Sequence, residues 1–333
     1  MLCIRNIFIR RYLLLVLSTI SLAGAHAQAD PLPSWNDTST KRSIIAFVDA
    51  VTKAGAPSFV AAEDRIATFD NDGTLWSEQP MYTELAFTMQ RVMELAPKHP
   101  EWKTTQPFAA VLQHDLRTVG ASGPEGIMKL FLATHAGMTT EEFEKIVANW
   151  LAKALHPKFN VPYTKCVYQP MLELLAYLRA NGFKTYIVSG GEQDFMRPFT
   201  ETIYGVPPEQ VVGTLFQTRY SMRSAGPVIV RSAAVLSVDD GPGKPENIAR
   251  FIGKKPIAAF GNSDGDIQML EWTGSNTKPN LELLVHHTDA VREYAYDRAS
   301  AMGKLDKGLT EAKEKHWVVV DMKSDWKSVF PPQ

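Results

Sequence analysis

The chain has 333 residues, 45% of them hydrophobic and 21% charged, with a formal net charge of −1. That length and composition suit a globular protein with one large or two modest domains and exclude a disordered or fibrous chain. The near-neutral balance offers no electrostatic footprint for nucleic acid or an anionic membrane.

The N-terminus carries Arg5, Arg10 and Arg11, then an apolar run from Tyr12 to Ala23, then Ala25-His26-Ala27. This is the pattern of a secretory signal peptide over residues 1–27, its apolar part being short for a membrane span. The mature chain is expected to begin at Gln28 or Asp30 and to be periplasmic or secreted, with no membrane contact after cleavage. Removal of three of the 35 basic residues leaves 32 against 36 acidic ones, a mature net charge of −4. Of the two cysteines, Cys3 leaves with the signal, so Cys166 remains alone and reads as a packed residue.

Residues 28–41 read as an extended lead-in, and "TKRSIIAFVDAVTKAG" (40–55) as a helix, apolar at helical spacing and closed by Gly55. "RIATFD" follows as a buried strand. Residues 81–156 then hold only helical patterns, the last opening on Thr139 or Thr140 before Glu141 and Glu142, an N-terminal capping signature. "QPMLELLAYLRANGF" is a helix ending at Gly182, and "KTYIVSGG" is a strand entering a glycine turn. "DFMRPFTETIYG" is a helix broken or begun near Pro198. "VVGTLFQTRY" and "GPVIVRSAAVLSVDD" form an antiparallel excursion. "GKPENIARFIG" is a helix with Pro245 in its first turn, "KPIAAFGNSDGD" a strand with a polar end, and "DIQMLEW" opens a helix. "LELLVHH" and "HWVVVDM" are late strands.

Strands and helices that alternate from about 165 to 321 argue a mostly parallel sheet with helices on both faces. The strand at 66–69 joins it only if the helical block is an insertion. The expected architecture is a three-layer α/β core (61–80 and 165–333) with a helical cap (81–164), preceded by an extension and helix (28–60).

Ligands bind such sheets where the strands' carboxyl ends meet. Three ends here are polar: Asp70 and Asp72 after the first strand, Ser189 after "TYIV", and Asn262, Asp264 and Asp266 after "IAAF". Lys244 begins a helix between them. Carboxylates, a hydroxyl, an amide and an ammonium suit phosphoryl transfer: a hard cation takes oxygen ligands, a carboxylate can attack phosphorus, and Ser and Lys can hold non-bridging oxygens. Side chains at i and i+2 leave a strand end on the same side, so Asp70 and Asp72 can face one phosphate. "DNDGTLWSEQPM" lacks the glutamate spacing of a calcium loop.

"DNDGT", "YIVSGG", "GKPENI" and "GNSDGD", in that order, resemble the four motifs of the haloacid dehalogenase superfamily of phosphatases. The likeness runs from about 62 to 275, with the helical block where the phosphoserine-phosphatase-like branch carries its cap. It implies a Rossmann-like core and a Mg²⁺-dependent phosphomonoesterase acting on a small soluble phosphate ester, with phosphoserine and phosphocholine as candidates. Asp70 is then nucleophile and metal ligand. Asp72 is general acid and base and gives its backbone carbonyl to the metal. Thr74, Ser189, Gly190 and Lys244 surround the phosphate, and Asn262 and Asp266 complete the metal site. The fourth motif usually begins with aspartate, and Asn262 brings one less negative charge. A phosphotransferase, or a phosphate-binding protein with a silenced site, would use the same residues.

Other polar residues receive plainer readings. Asp264 is a supporting residue or a turn former. Trp76, Glu78, Met81 and Tyr82 reach substrate or pack as core. His114, His135 and His156 lie in separate helices without metal-ligand spacing and read as packed or solvated, and "VHHTD" (285–289) reads as a strand end rather than a second metal site.

Overall fold

The computed structural model describes residues 30–332, so the signal segment 1–27 lies outside the described residues. In chain order the elements are α1 (Ser39–Thr52), β1 (Ile66–Phe69), α2 (Thr83–Leu95), α3 (Phe108–Leu112), α4 (Leu116–Ala121), α5 (Gly123–His135), α6 (Thr140–Leu151), α7 (Gln169–Ala180), β2 (Lys184–Glu192), α8 (Gln193–Tyr204), β3 (Val211–Arg223), β4 (Gly226–Ser237), α9 (Gly243–Asn247), β5 (Ala258–Gly261), α10 (Ile267–Gly274), β6 (Leu281–Thr288), β7 (Ala295–Tyr296), α11 (Lys307–Lys315), β8 (Val318–Asp321) and α12 (Met322–Asp325). Strand order is β4-β3-β2-β1-β5-β6-β7, with β8 also paired to β6. All pairings from β3 through β2, β1, β5 and β6 to β8 are parallel, and β3–β4 and β6–β7 are antiparallel. The fold is the expected α/β architecture with a mostly parallel, Rossmann-like sheet.

The sheet is covered on both faces. Along β2, Ile187 enters one apolar cluster and Val188 the other; along β5, Ala258 and Phe260 face one and Ala259 the other. This is the period-2 alternation of a strand buried on both sides. Helices α1, α7 and α8 supply one layer, and α10 and α11 the opposite one. Helices α2, α3 and α5 bury a separate cluster that includes Leu85, Val92, Phe108 and Leu130. Helix α6 starts on a capping box in which Glu142 N–H donates to Thr139 Oγ1 at 3.1 Å and Thr139 N–H to Glu142 Oε2 at 2.8 Å.

One expectation needs correcting. Pro198 neither breaks nor begins a helix: α8 runs unbroken across it. Phe195, Met196, Phe199 and Tyr204 bury one face of α8 in the core, and that packing outweighs one lost backbone hydrogen bond. The extended lead-in packs against the core. Trp35 is buried, donates Nε1–H to the Pro170 carbonyl at 2.9 Å, and meets Trp326 edge-on at 6.0 Å. No helix among the described residues is long and apolar enough to cross a membrane.

Trp35→Ala should lower the unfolding free energy by roughly 3–5 kcal/mol, the usual cost of deleting a buried aromatic. A urea denaturation series checks it; an unchanged midpoint would mean that the lead-in contributes no packing.

Candidate active site

The nucleophile candidate sits at the centre of the sheet. β1 is flanked by β2 and β5, Phe69 stacks on Phe260 at 4.3 Å, and Asp70 N–H donates to the Phe260 carbonyl at 2.9 Å. The chain then turns sharply: the N–H groups of Thr74, Leu75 and Trp76 all donate to the Asn71 carbonyl. Gly73 makes this turn with φ +75°, and a side chain there would also collide with Asn262, so glycine is required twice over. His287 Nε2–H donates to the Gly73 carbonyl at 2.8 Å and fastens the loop from behind. Both Asp70 and Asp72 border a cavity of about 470 Å³, together with Ser189, Gly190 and Lys244.

Lys244 is 1% exposed. Its ammonium donates to Asp70 Oδ1 at 2.7 Å, Asp266 Oδ1 at 2.6 Å and the Val188 carbonyl at 2.9 Å. Burial disfavours the ammonium, but Asp266, Asp70 and Asp239 outweigh it and hold the lysine above its ordinary pKa. Lys254, by contrast, pairs with Asp64 at the surface. Asp266 Oδ2 accepts from the N–H groups of Asn262 and Ser263, both at 3.0 Å. Gly261 allows this, since a Cβ there would lie 2.5 Å from the Asp266 side chain.

Burial pushes the Asp70 carboxyl up, against the pull of Lys244. Burial also raises Asp72, to about 6, while the Trp76 indole N–H, 2.8 Å from Asp72 Oδ1, opposes it. Ser189 lies inside β2 rather than beyond its end. The register against β3 shifts between Ser189 and Glu192, so the Ser189–Gly191 stretch bulges beside the cavity. Thr74, expected at the phosphate, is fully buried and donates its hydroxyl to Asn262 Oδ1 at 3.1 Å. Asp264 turns away: its Oδ1 accepts from the N–H groups of Asp306 and Gly308, each at 2.9 Å, at the start of α11.

What the linear reading missed is the partnership of Glu78, read there only as reaching substrate or packing as core. Its Oε1 accepts from Asn262 Nδ2 at 2.7 Å and from the Tyr296 hydroxyl at 2.8 Å. Burial holds its carboxyl well above the ordinary range. The carboxyl absent at position 262 thus stands directly against it. Trp76 is buried, stacked on Phe199, and touches Asp72 rather than open cavity.

The profile of the haloacid dehalogenase-like hydrolases matches residues 67–271, from β1 into α10 and across all four motifs. The chain belongs to the haloacid dehalogenase-like hydrolase family. Among solved structures, a functionally unknown protein from Anaerococcus prevotii has the same fold, with 15% identity, a TM-score of 0.53, and coverage of 88% of this chain and 94% of that one. A protein of unknown function from Bordetella pertussis aligns at 15% identity and TM-score 0.46, covering 78% and 98%. A probable phosphoserine phosphatase from Vibrio cholerae aligns at 17% and 0.38, covering 81% and 67%. A search of curated proteins finds no match.

In this haloacid dehalogenase-like hydrolase the lysine is also a structural part. Lys244→Met should cost roughly 3–5 kcal/mol, because it leaves Asp70 and Asp266 buried without their cation. The folded variant would then bind more protons than the unfolded chain, so its stability should fall as pH rises through the carboxylate range. Denaturation at about pH 5 and about pH 8 tests the sign: the deficit should be larger at the higher pH.

Proposed function

We propose that the protein is a phosphomonoesterase that works through a phosphoaspartate on Asp70. The observation that carries this reading is the pairing of Asp70, cavity-facing and fixed by Lys244, with an Asp72 that holds its proton to about 6. Asp70 attacks phosphorus while Asp72 passes its proton to the leaving ester oxygen. Asp72, now a carboxylate, takes a proton from the water that attacks the phosphoaspartate, which returns Asp70 and releases inorganic phosphate. The Ser189 hydroxyl, the Gly190 backbone and the Lys244 ammonium hold the non-bridging oxygens. Thr74 serves the site through Asn262 rather than by touching phosphate.

Charge supports a cofactor. Asp70 and Asp266 already take up the one ammonium of Lys244, and a phosphate dianion cannot enter beside them without further positive charge. The donors are all oxygen, which fits Mg²⁺. Asp70, the Asp72 carbonyl and Asn262 would hold it, with Asp266 behind them fixing Lys244 and the Asn262 backbone. When bound, Mg²⁺ supplies the charge that admits the phosphate. The cavity's size and its Leu85, Ile127 and Met128 wall suit a small soluble ester. Export by the N-terminal signal belongs to the same reading.

Trapping with beryllofluoride or rapid quench should place the phosphoryl group on Asp70, and Asp70→Asn should abolish turnover; phosphate recovered on Ser189 or a histidine would overturn the mechanism. For esters with poor leaving groups, kcat/KM should fall as pH rises through the Asp72 titration. Trp76→Phe removes the N–H that favours ionised Asp72, so this limb should move up by about one pH unit, the scale of a charge-assisted hydrogen bond. A pH–rate profile of both proteins checks the direction.

Magnesium titration tests the Glu78–Asn262 pair. Glu78→Gln should raise the half-saturating Mg²⁺ by roughly tenfold, equivalent to about 1.4 kcal/mol. Asn262→Asp alone should bring little gain, since the new carboxylate faces Glu78. The double variant, with the charge moved across the hydrogen bond, should recover at least the parent's requirement. Equal titrations for all four proteins would remove both residues from the metal's surroundings.

A further inference from the structure

Beside the cavity, three side chains without a part in phosphoryl transfer converge. Glu84 comes from α2, His135 from the last turn of α5, and Glu192 from the end of β2. Their residues are 4%, 0% and 2% exposed, and one ligand atom from each lies within 4.8 Å of the others. His135 Nδ1 is 2.8 Å from Glu192 Oε2 and 3.9 Å from Glu84 Oε1. Glu84 Oε2 accepts from the Glu192 N–H at 2.9 Å, whereas Glu84 Oε1 is buried with no hydrogen-bond partner. We propose that Glu84, His135 and Glu192 bind a divalent transition-metal ion of the zinc class and thereby fasten α2 and α5 to the β2–α8 junction.

The charges call for a cation. Glu84, Glu192 and Asp194 gather beside the Arg231 guanidinium, which pairs with Glu192 and Asp194 and donates Nε–H to the His135 carbonyl at 2.7 Å, while Arg197 pairs with Asp194 at 3.5 Å from the outer side. Three carboxylates against two guanidiniums leave net negative charge around a neutral imidazole, which favours a bound cation. Geometry permits it as well: donors sharing an ion at ~2.0–2.2 Å stand up to ~4 Å apart, so a small rotation of Glu84 closes the set.

The histidine is prepared for either state. Its Nε2 lies 3.0 Å from the Thr88 hydroxyl, which can donate or accept. With Nδ1 on a metal, Nε2–H donates to Thr88, the usual outer partner of a ligating imidazole. Phe131, stacked at 5.1 Å, and Phe143, at 4.8 Å, hold the ring plane. One imidazole with two carboxylates suits Zn²⁺ or Mn²⁺ rather than Mg²⁺, which separates this cluster from the all-oxygen set at Asp70. Glu84 and Glu192 both border the cavity, which gives an entry path.

The test is spectroscopic and independent of turnover. The purified chain is stripped with chelator, held in excess Mg²⁺ to occupy the oxygen site, and titrated with Co²⁺. We expect one tight equivalent with the intense visible bands of low-coordinate, nitrogen-ligated cobalt, and a rise in melting temperature. Glu84→Gln and His135→Gln should each weaken that equivalent by more than about tenfold, the least that perturbing a metal shell usually costs. If His135→Gln fails to fold, Glu84→Gln decides alone. Its amide keeps the bond from the Glu192 N–H, and the other oxygen has no partner to lose. The absence of a tight cobalt equivalent in the parent, or binding unchanged in Glu84→Gln, overturns the site.

Discussion

One ammonium group ties together the carboxyl ends of the central strands. Lys244 Nζ touches the residue after β1, a carbonyl of β2 and the turn after β5. Bringing Asp70 and Asp266 within reach of each other in a buried site would be prohibitive without it, since isolated buried charges cost several kcal/mol each. The rest of the neighbourhood serves this contact. Gly261 lets Asp266 approach, Ser263 and Asn262 fix its second oxygen, and α9 delivers the lysine and then widens into a π-turn over Ile248–Ile252. Such widened turns recur near functional sites, where they re-aim side chains at some loss of helical regularity.

What could be read from the sequence is what is local. A hydrophobic run followed at once by Asp-Asn-Asp-Gly states both a buried strand and a polar end, and the same holds for "IAAFGNSDGD". These runs therefore located the sheet centre and the residues that meet there. Partnerships across the chain were not legible. Glu78 is eight residues past Asp70, but what matters about it is its hydrogen bond to Asn262, 184 positions away. Asn262 alone looks like a weakened ligand; beside Glu78 it is half of an amide–carboxyl pair. His135 has no metal-ligand spacing in the chain because its neighbours come from α2 and β2. Pro198 misled for the opposite reason: a strong local rule gave way to a buried helix face that no local window displays.

The histidines illustrate how burial assigns work that sequence spacing leaves open. His287 supports the Gly73 carbonyl and lies 3.3 Å from Glu293, while His286 reaches only Asp297 at a half-buried edge. His156 donates Nε2–H to the Gln79 carbonyl at 2.7 Å, on the path that leads from β1 to α2. Because a carbonyl can only accept, both His156 and His287 carry their proton on Nε2 there. Adjacent residues of one motif, "VHH", thus end with different tasks, set by which face of β6 each occupies.

The seam made by Trp35 and Trp326 has a consequence for synthesis. Asn36 N–H donates to the Asp325 carbonyl and Lys327 N–H to the Ser34 carbonyl, both at 2.8 Å, so the first described segment is sewn to residues about 290 positions later. A chain emerging from the ribosome N-terminus first cannot make these bonds until residue 327 is out. Until then Trp35 can reach the Pro170 carbonyl but lacks the ring of Trp326. The segment around Trp326 therefore acts as a latch: a nascent chain halted short of residue 325 leaves one edge of Trp35 uncovered.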